Sequence, residues 1–510
     1  MLIALYDIHL WYFDSAHLKG TMKELTKIQR QAAIWILGAF KSTPTGAVES
    51  LAGLIPIHLQ IWKLVYCNHV HMHTLADSHI THLMVATRDV AKFISVYHPS
   101  QLHNKCKSLL VDMWANENLV DVFVLSYNKY NVPGHHLTDT CPERITHDIV
   151  LIQGKTAKDR AKAREAHLMA LKQSFAHSST SDSCIAIVTN ASVSLLSTGY
   201  QAVAAWHTWH SDHYDENFRS IGLEVSNDAE TNAIGGAFRA LSNSFDSISD
   251  IDEIHIYSDS TYALHHMLDP SIHSAQLYVL ESLSVLSPWM EENANHRLLL
   301  HHVFEPHRAV HHLAISTKIE AGRAPARTIA FSTKQIMDSI MSDWANQFQL
   351  SQYVGQHFMY SRWSVRRLDH AKAKHIAPLH LNSGTWLKDV GHSSLLIAQM
   401  VRGLTSHAPI GHYRKRFKVG NQNESCPHCE GGPVETFQHI LFKCLRHLTQ
   451  PPDMPNFTKA TPYWEHFGKF TMDNPMAYAF VDGPAYSQTM DYRTRMVMHW
   501  AKGAPTSTHS

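Results

Sequence analysis

Cysteine is too scarce here for a disulfide framework. Seven occur in 510 residues; Cys67, Cys106, Cys141 and Cys184 stand alone, and the remaining three lie close together. That excludes a secreted disulfide scaffold and suggests a metal in a reducing compartment. An excess of either charge is also missing, since 44 Lys and Arg balance 44 Asp and Glu. Nucleic acid would therefore have to be met by local basic patches, not by the field of the whole chain. No apolar run reaches the roughly 18 residues of a membrane span. The start, "MLIALYDIHLWYF", has no basic leader and carries Asp7 and His9, so it reads as neither signal peptide nor span. These absences lead to the expectation of an intracellular protein, nuclear or cytoplasmic, with no membrane partner. Oligomeric state is left open.

With 44% hydrophobic residues the chain can build several cores. Residues 1–75 read as helical. In "KELTKIQRQAAIWILGAF" the apolar residues Leu25, Ile28, Ala32, Trp35 and Ala39 recur at three- and four-residue steps, which predicts one buried stripe. Pro44 and Gly46 in "KSTPTGA" break that helix. Residues 76–180 are helical or irregular, with a basic helical stretch, "KTAKDRAKAREAHLMALK", leading into the Ser-rich "SFAHSSTSDS", read as a linker and domain boundary. From 183 to 325 the pattern changes. "CIAIVTN", "GYQAVAAWHTWH", "IDEIHIYSD" and "HRLLLHHVF" read as strands, with helices near 228, 261, 273 and 310–321. Strands first, then strand and helix alternating, predict an α/β fold with a mixed sheet packed by flanking helices. A basic helical region at 326–420, a cysteine-bearing module at 421–447 and a tail at 448–510 without clear periodicity complete the division.

Within 183–325, Thr-Asn-Ala-Ser (189–192) closes the first strand, Glu230 lies in the first turn of a helix, and Ser-Asp-Ser (258–260) closes a later strand. This spacing resembles the ribonuclease H fold, in which four acids bind two divalent metals, Mg²⁺ or Mn²⁺. Two hard cations at about 3.5–4 Å need several anionic oxygens to hold them together. The stretches "TNASV", "YQAVAAWHTW", "NDAETNAI", "IYSDS", "DPSIHSAQ" and "HHLA" look like the ribonuclease-H-like module of fungal non-LTR retrotransposon polyproteins. "LTKIQRQAAIWILGAFKSTPTGAVESLAGLIPIHL" looks like the helical segment after the reverse-transcriptase palm in such elements, and "RGLTSHAPIGHYRKRF" before a Cys/His cluster looks like their C-terminal end. The resemblance covers residues 1–75 and 183–447. It implies hydrolysis of the RNA strand in RNA–DNA hybrids, with Glu230 and Asp259 as metal ligands. The polymerase palm is absent, so DNA synthesis is not expected.

The sequence departs from that pattern twice. Asn190 stands where the first-strand Asp is expected, and an amide brings no charge and cannot bridge two cations. After "FEPHRAVHHLAISTKIEAG" the last helix offers His311, His312 and Thr317, with Glu320 as its one carboxylate. Asn190 therefore reads as a degraded ligand position, and weak or absent activity is expected. His301, His302, His311 and His312 read as surface residues or core caps, because neighbours on a helix diverge by about 100°.

Cys426, Cys429, His439 and Cys444 form a C-x2-C-x9-H-x4-C array. Two thiolates separated by two residues grip one Zn²⁺ from a tight turn, and His439 with Cys444 completes a closed, structural tetrahedron. Gly431, Gly432 and Pro433 supply the turn; Val434, Phe437, Ile440 and Leu441 would make a small core. Arg362, Arg366 and Arg367 form one basic cluster and Arg414, Lys415 and Arg416 another, interleaved with Trp363, Tyr413 and Phe417. That mixture suits phosphates and stacked bases of a hybrid or single strand; a solvated helix face is the plainer reading. The rival functions are a non-catalytic nucleic-acid-binding protein and a decayed retrotransposon fragment without a selected role.

Overall fold

The computed structural model describes residues 19–72, 137–148, 157–355 and 386–478, with short breaks in the last two stretches. Two compact units divide them: 19–64 joins 337–478, and the residues between make the other. Arg362, Arg366 and Arg367 lie outside the described residues.

The helical unit begins with α1 (Lys19–Leu37), α2 (Thr45–Ala52) and α3 (Ile57–Met72), which runs past its boundary. The buried stripe of α1 is not the predicted one. Gln29, Ala33, Ile34 and Leu37 are buried, whereas Ile28 and Trp35 are 59% and 81% exposed. The apolar residues of α1 spread over more than one face, and packing selects among them. Gln29 is admitted because its amide donates to the Ile55 carbonyl at 2.7 Å. The break after α1 is tied by Arg30, which donates to the carbonyls of Lys41 and Thr43 at 2.5 and 2.8 Å. Gly53 ends α2 at φ 68°, a left-handed cap suited to glycine.

The second unit is built around β1 (Ile145–Asp148), β2 (Cys184–Ser192), β3 (Val203–His210), β4 (His213–Arg219), β5 (Glu253–Ser258) and β6 (Arg297–His302). Its helices are α4 (Ala157–Ser178), α5 (Ser226–Ser244), α6 (Thr261–His266), α7 (Gln276–Glu292) and α8 (Arg308–Ser316). The six strands form one mixed sheet in the order β1-β6-β5-β2-β3-β4. β2, β5, β6 and β1 pair in parallel, while β3 is antiparallel to both β2 and β4. The predicted mixed sheet with flanking helices is therefore present. Strands β1 and β4 were not legible: β1 is four residues long, and "HYDENFR" is a charged, largely exposed edge, where the apolar alternation that marks a strand is lacking.

Both faces of the sheet are covered, and strand alternation explains how. Ile185, Ile187, Ile254 and Ile256 face Ile234 and Phe238 of α5. Ala186, Val188 and Tyr257 face Leu171 of α4 and Val310 and Ala314 of α8. α4 continues through Ser178, so the first serines of the predicted linker are helical. They serve a buried phenol: Ser174 and Ser178 Oγ lie 2.9 and 3.1 Å from Tyr257 Oη. Two glycines let α5 sit close: a Cβ on Gly236 would come within 2.5 Å of Trp206 on β3, and one on Gly235 within 2.5 Å of the Tyr278 carbonyl on α7. This close seat brings Glu230 to the C-terminal end of β2, where it meets the Ala191 N–H.

The chain returns to the helical unit along α9 (Ile329–Phe348), followed by α10 (Ser394–Leu404), α11 (Gly411–Phe417), α12 (Phe437–Phe442) and α13 (Ala460–Asp473). Leu37, Leu51, Met400, Leu404, Phe437 and Phe467 share one core. Among the described residues no single helix is long and apolar enough to cross a membrane.

Candidate functional site

Because β2 and β5 are parallel, with Val188 opposite Tyr257, their C-terminal ends leave the sheet together. This juxtaposes Asn190 and Asp259. The Asn190 amide donates from Nδ2 to Asp259 Oδ2 at 3.2 Å. Its Oδ1 accepts from His311 Nδ1 of α8 at 3.1 Å. From the other side of the sheet, α5 supplies Glu230, whose Oε1 accepts from the Ala191 N–H at 3.0 Å. The Glu230 Oε2 is buried without a hydrogen-bond partner, and the residue is only 6% exposed. Ser260 fixes the turn after Asp259, capping α6 by accepting from the Ala263 N–H at 3.1 Å.

Electrostatics follow from this packing. Burial, joined by the Asp259 charge, pushes the Glu230 carboxyl up to about 8. Burial also raises Asp259, opposed by His311, His302 and the Asn190 hydrogen bond. Burial thus disfavours ionisation of both carboxyls, and the Asp259 charge adds to that of Glu230; a cation would relieve this condition. The donor set does not fit two cations, however. The third position is occupied by an amide that points an N–H at Asp259 and has its oxygen engaged by His311. Among the described residues no fourth acid is supplied: Glu320 lies beyond the end of α8, paired with Tyr200 in an isolated bridge. Glu230 and Asp259 suffice for at most one hard cation completed by water.

No family description and no curated protein matches the sequence. Several solved structures align with part of it, among them the following three. Ribonuclease H1 of the archaeon Halobacterium salinarum NRC-1 is 16% identical over 26% of this chain and 97% of its own, with a TM-score of 0.20. The N-terminal ribonuclease H domain of a Mycobacterium tuberculosis protein, fused to maltose-binding protein, is 16% identical over 25% and 90%, at 0.19. LC11-RNase H1, isolated from compost, is 17% identical over 26% and 91%, at 0.19. In this chain the sheet order β6-β5-β2-β3-β4 sets β2 antiparallel to β3 and parallel to β5. The fold class is α/β, a mixed sheet covered by helices on both faces.

His311 is the site residue that sequence reasoning missed. It was legible only as a histidine on the last helix, where an acid was sought; its contact with Asn190 depends on how α8 packs against β2 and β3.

The structure brings all four residues of the cysteine module together. One potential ligand atom from each of Cys426, Cys429, His439 and Cys444 lies within 4.8 Å of the others, and Cys426 and Cys444 Sγ are 3.7 Å apart. Gly431 and Gly432 adopt φ 77° and 54° in the turn between the halves, and the Cys426 N–H bonds the Pro433 carbonyl at 2.8 Å. Thr436 caps α12, accepting from the His439 N–H at 3.1 Å. His439 Nε2 is buried without a hydrogen-bond partner. Three sulfurs and an orphaned imidazole nitrogen at this spacing fit a tetrahedral Zn²⁺. The expected small core differs in one respect. Val434 is 46% exposed, and Phe437, Ile440 and Leu441 join the larger helical core, because α12 packs inward instead of folding over its own turn.

The second basic cluster is largely engaged. Arg414 pairs with Glu435 at 2.9 Å and Lys415 with Glu424 at 2.9 Å, while the Arg416 guanidinium lies 4.2 Å from the Phe417 ring centroid. These contacts brace α11 against the cysteine module.

Proposed function

We propose that this chain is a ribonuclease-H-like nucleic-acid-binding protein whose cutting centre has been lost, derived from the C-terminal part of a retroelement polyprotein. The observation that carries this reading is Asn190, bonded at 3.2 Å to Asp259 and at 3.1 Å to His311. A neutral amide fills the point where a two-metal nuclease needs a bridging anion. Glu230 and Asp259 are the residues that would hold a single Mg²⁺ or Mn²⁺, and such an ion would supply charge neutralisation toward a phosphate. Cys426, Cys429, His439 and Cys444 hold a structural Zn²⁺ in this reading. Arg414 and Lys415, freed from their carboxylate partners, together with Arg416 and the cluster Arg362, Arg366 and Arg367, contribute phosphate contacts that weaken with salt.

A second reading, residual hydrolysis with one ion, is favoured by the unpartnered Glu230 Oε2. The deciding experiment is cleavage and binding of a labelled RNA–DNA hybrid by the purified chain with Mg²⁺ or Mn²⁺, beside Glu230→Gln/Asp259→Asn. Salt-sensitive binding without cleavage is expected. Cleavage that disappears in the double variant would replace the first reading by the second, and absence of binding at low salt would sink both.

A further inference from the structure

A second cluster of metal-binding residue types lies at the opposite end of the sheet. β2 and β5 start side by side, with Cys184 registered against Glu253. The loop before β2 is clamped there, since the Asp252 and Glu253 N–H groups both donate to the Ser183 carbonyl at 2.8 and 3.2 Å. α4 ends just above and places His177 in its last turn. A ring nitrogen of His177, the Cys184 sulfur and a Glu253 carboxylate oxygen all lie within 4.8 Å of one another. From Asn190 this point is six residues back along β2, about 20 Å at roughly 3.3 Å per residue, so it is separate from the carboxylate site.

We infer that His177, Cys184 and Glu253 form a second metal site, selective for a borderline dication such as Zn²⁺. The donor set decides the class. A thiolate and an imidazole are soft and borderline ligands, which disfavours Mg²⁺ and Ca²⁺ and suits Zn²⁺. Ligand atoms around tetrahedral zinc stand roughly 3.3–3.8 Å apart, given bond lengths of about 2.0–2.3 Å. Closing from the present spacing needs a movement of only about 1 Å, which the exposed His177 side chain can make. Glu253 is held from behind in the manner of a ligating carboxylate. His255 donates from Nε2 to Glu253 Oε2 at 3.1 Å, its Nδ1 lies 3.1 Å from His301 Nε2, and His301 in turn faces Asp148 at 3.4 Å. Such outer hydrogen bonds orient metal ligands. His210 is turned to the Cys184 carbonyl at 3.1 Å and is not a ligand. The carbonyl end of α4 adds a favourable potential for a cation. Three protein ligands leave a fourth position for water or an incoming donor, and a bound ion would pin α4 to the starts of β2 and β5.

Cobalt(II) titration of the purified full-length chain, stripped of metal, tests this, because thiolate ligation gives an intense sulfur-to-metal charge-transfer band. Two saturating steps are expected, one from Cys426, Cys429 and Cys444 and one from Cys184. His177→Ala, at an exposed position, should weaken one step at least tenfold and leave the other. Cys184→Ser should abolish the charge-transfer intensity of that same step. A single step lost on Cys184→Ser would support the site even if the cysteine module failed to bind. Band intensity that neither variant changes would overturn the inference, whatever the stoichiometry.

Discussion

Asn190 hands a hydrogen bond to Asp259 at 3.2 Å and takes one from His311 at 3.1 Å, so a single amide satisfies both neighbours without a cation. Restoring the acid should reverse that condition. Asn190→Asp would place a third carboxylate beside Asp259 and the buried Glu230, with no donor to replace the lost N–H. In EDTA the variant should melt several degrees below the parent, since about 1 kcal/mol corresponds to roughly 2–4 °C for a unit of 150–250 residues. Millimolar Mg²⁺ or Mn²⁺ should restore much of the loss while moving the parent little. Thermal melts with and without metal check this; a variant equally destabilised in both media would show that the pocket no longer accepts a cation.

The same residues show how much was legible in sequence. The strand ends carrying Asn190 and Asp259, and the helix carrying Glu230, could be placed because short apolar runs and an amphipathic helix dictate them locally. His311 could not, since only the packing of α8 across the sheet sets its ring against Asn190. The buried face of α1 was misread for a related reason: Trp35 and Ile28 have the spacing of a stripe, but partners chose Ala33, Ile34 and Leu37. The cluster of His177, Cys184 and Glu253 was likewise hidden. Glu253 lies 69 residues after Cys184 in the chain, and parallel pairing alone brings them together.

Gly236 is expected to be intolerant. A Cβ there meets Trp206 at 2.5 Å on one side and Arg219 at 3.0 Å on another, and Arg219 is itself held to Glu281 at 2.5 Å. Gly236→Ala should remove about 1–3 kcal/mol of stability through overpacking, despite alanine's better helix propensity. Urea denaturation of parent and variant measures it. An unchanged or raised midpoint would mean that α5 can lift from the sheet at no cost.

The buried Glu224 should give the second unit a pH-dependent stability. It accepts hydrogen bonds from Tyr278 and from Asn232, the latter at 3.0 and 3.2 Å. Burial nevertheless dominates and pushes its carboxyl up from 4.5 to about 7. The folded state thus keeps a proton that the unfolded chain releases near 4.5. Its contribution to stability is therefore intact below about pH 4.5, declines through that window and is fully lost above pH 7. At about 1.4 kcal/mol per pKa unit the loss is on the order of 3 kcal/mol. Glu224→Gln should flatten the slope of unfolding free energy between pH 5 and 7 relative to the parent. Parallel slopes would assign the pH dependence to other carboxyls of this unit, Glu230 first, which burial and the Asp259 charge push up to about 8.

Zinc should matter beyond its own module. Phe437, Ile440 and Leu441 lie in the same core as Met400, Leu404 and Phe467, so α12 couples the ligand cluster to the helical unit. In the proposed zinc-bound state the ion's charge organises three sulfurs around a buried imidazole and closes the turn at Gly431 and Gly432, and its removal would undo both. Chelation by 1,10-phenanthroline should release one equivalent of zinc from this cluster and lower the melting temperature of the parent. It should also accelerate amide exchange at Cys426 and Cys444, whose N–H groups bond the Pro433 and His439 carbonyls at 2.8 Å each. His439→Ala should reproduce the exchange pattern without chelator, because the variant loses the imidazole ligand that ties α12 to the ion. Protection at these two amides that survives both treatments would show that core packing, and not zinc, holds the module in place.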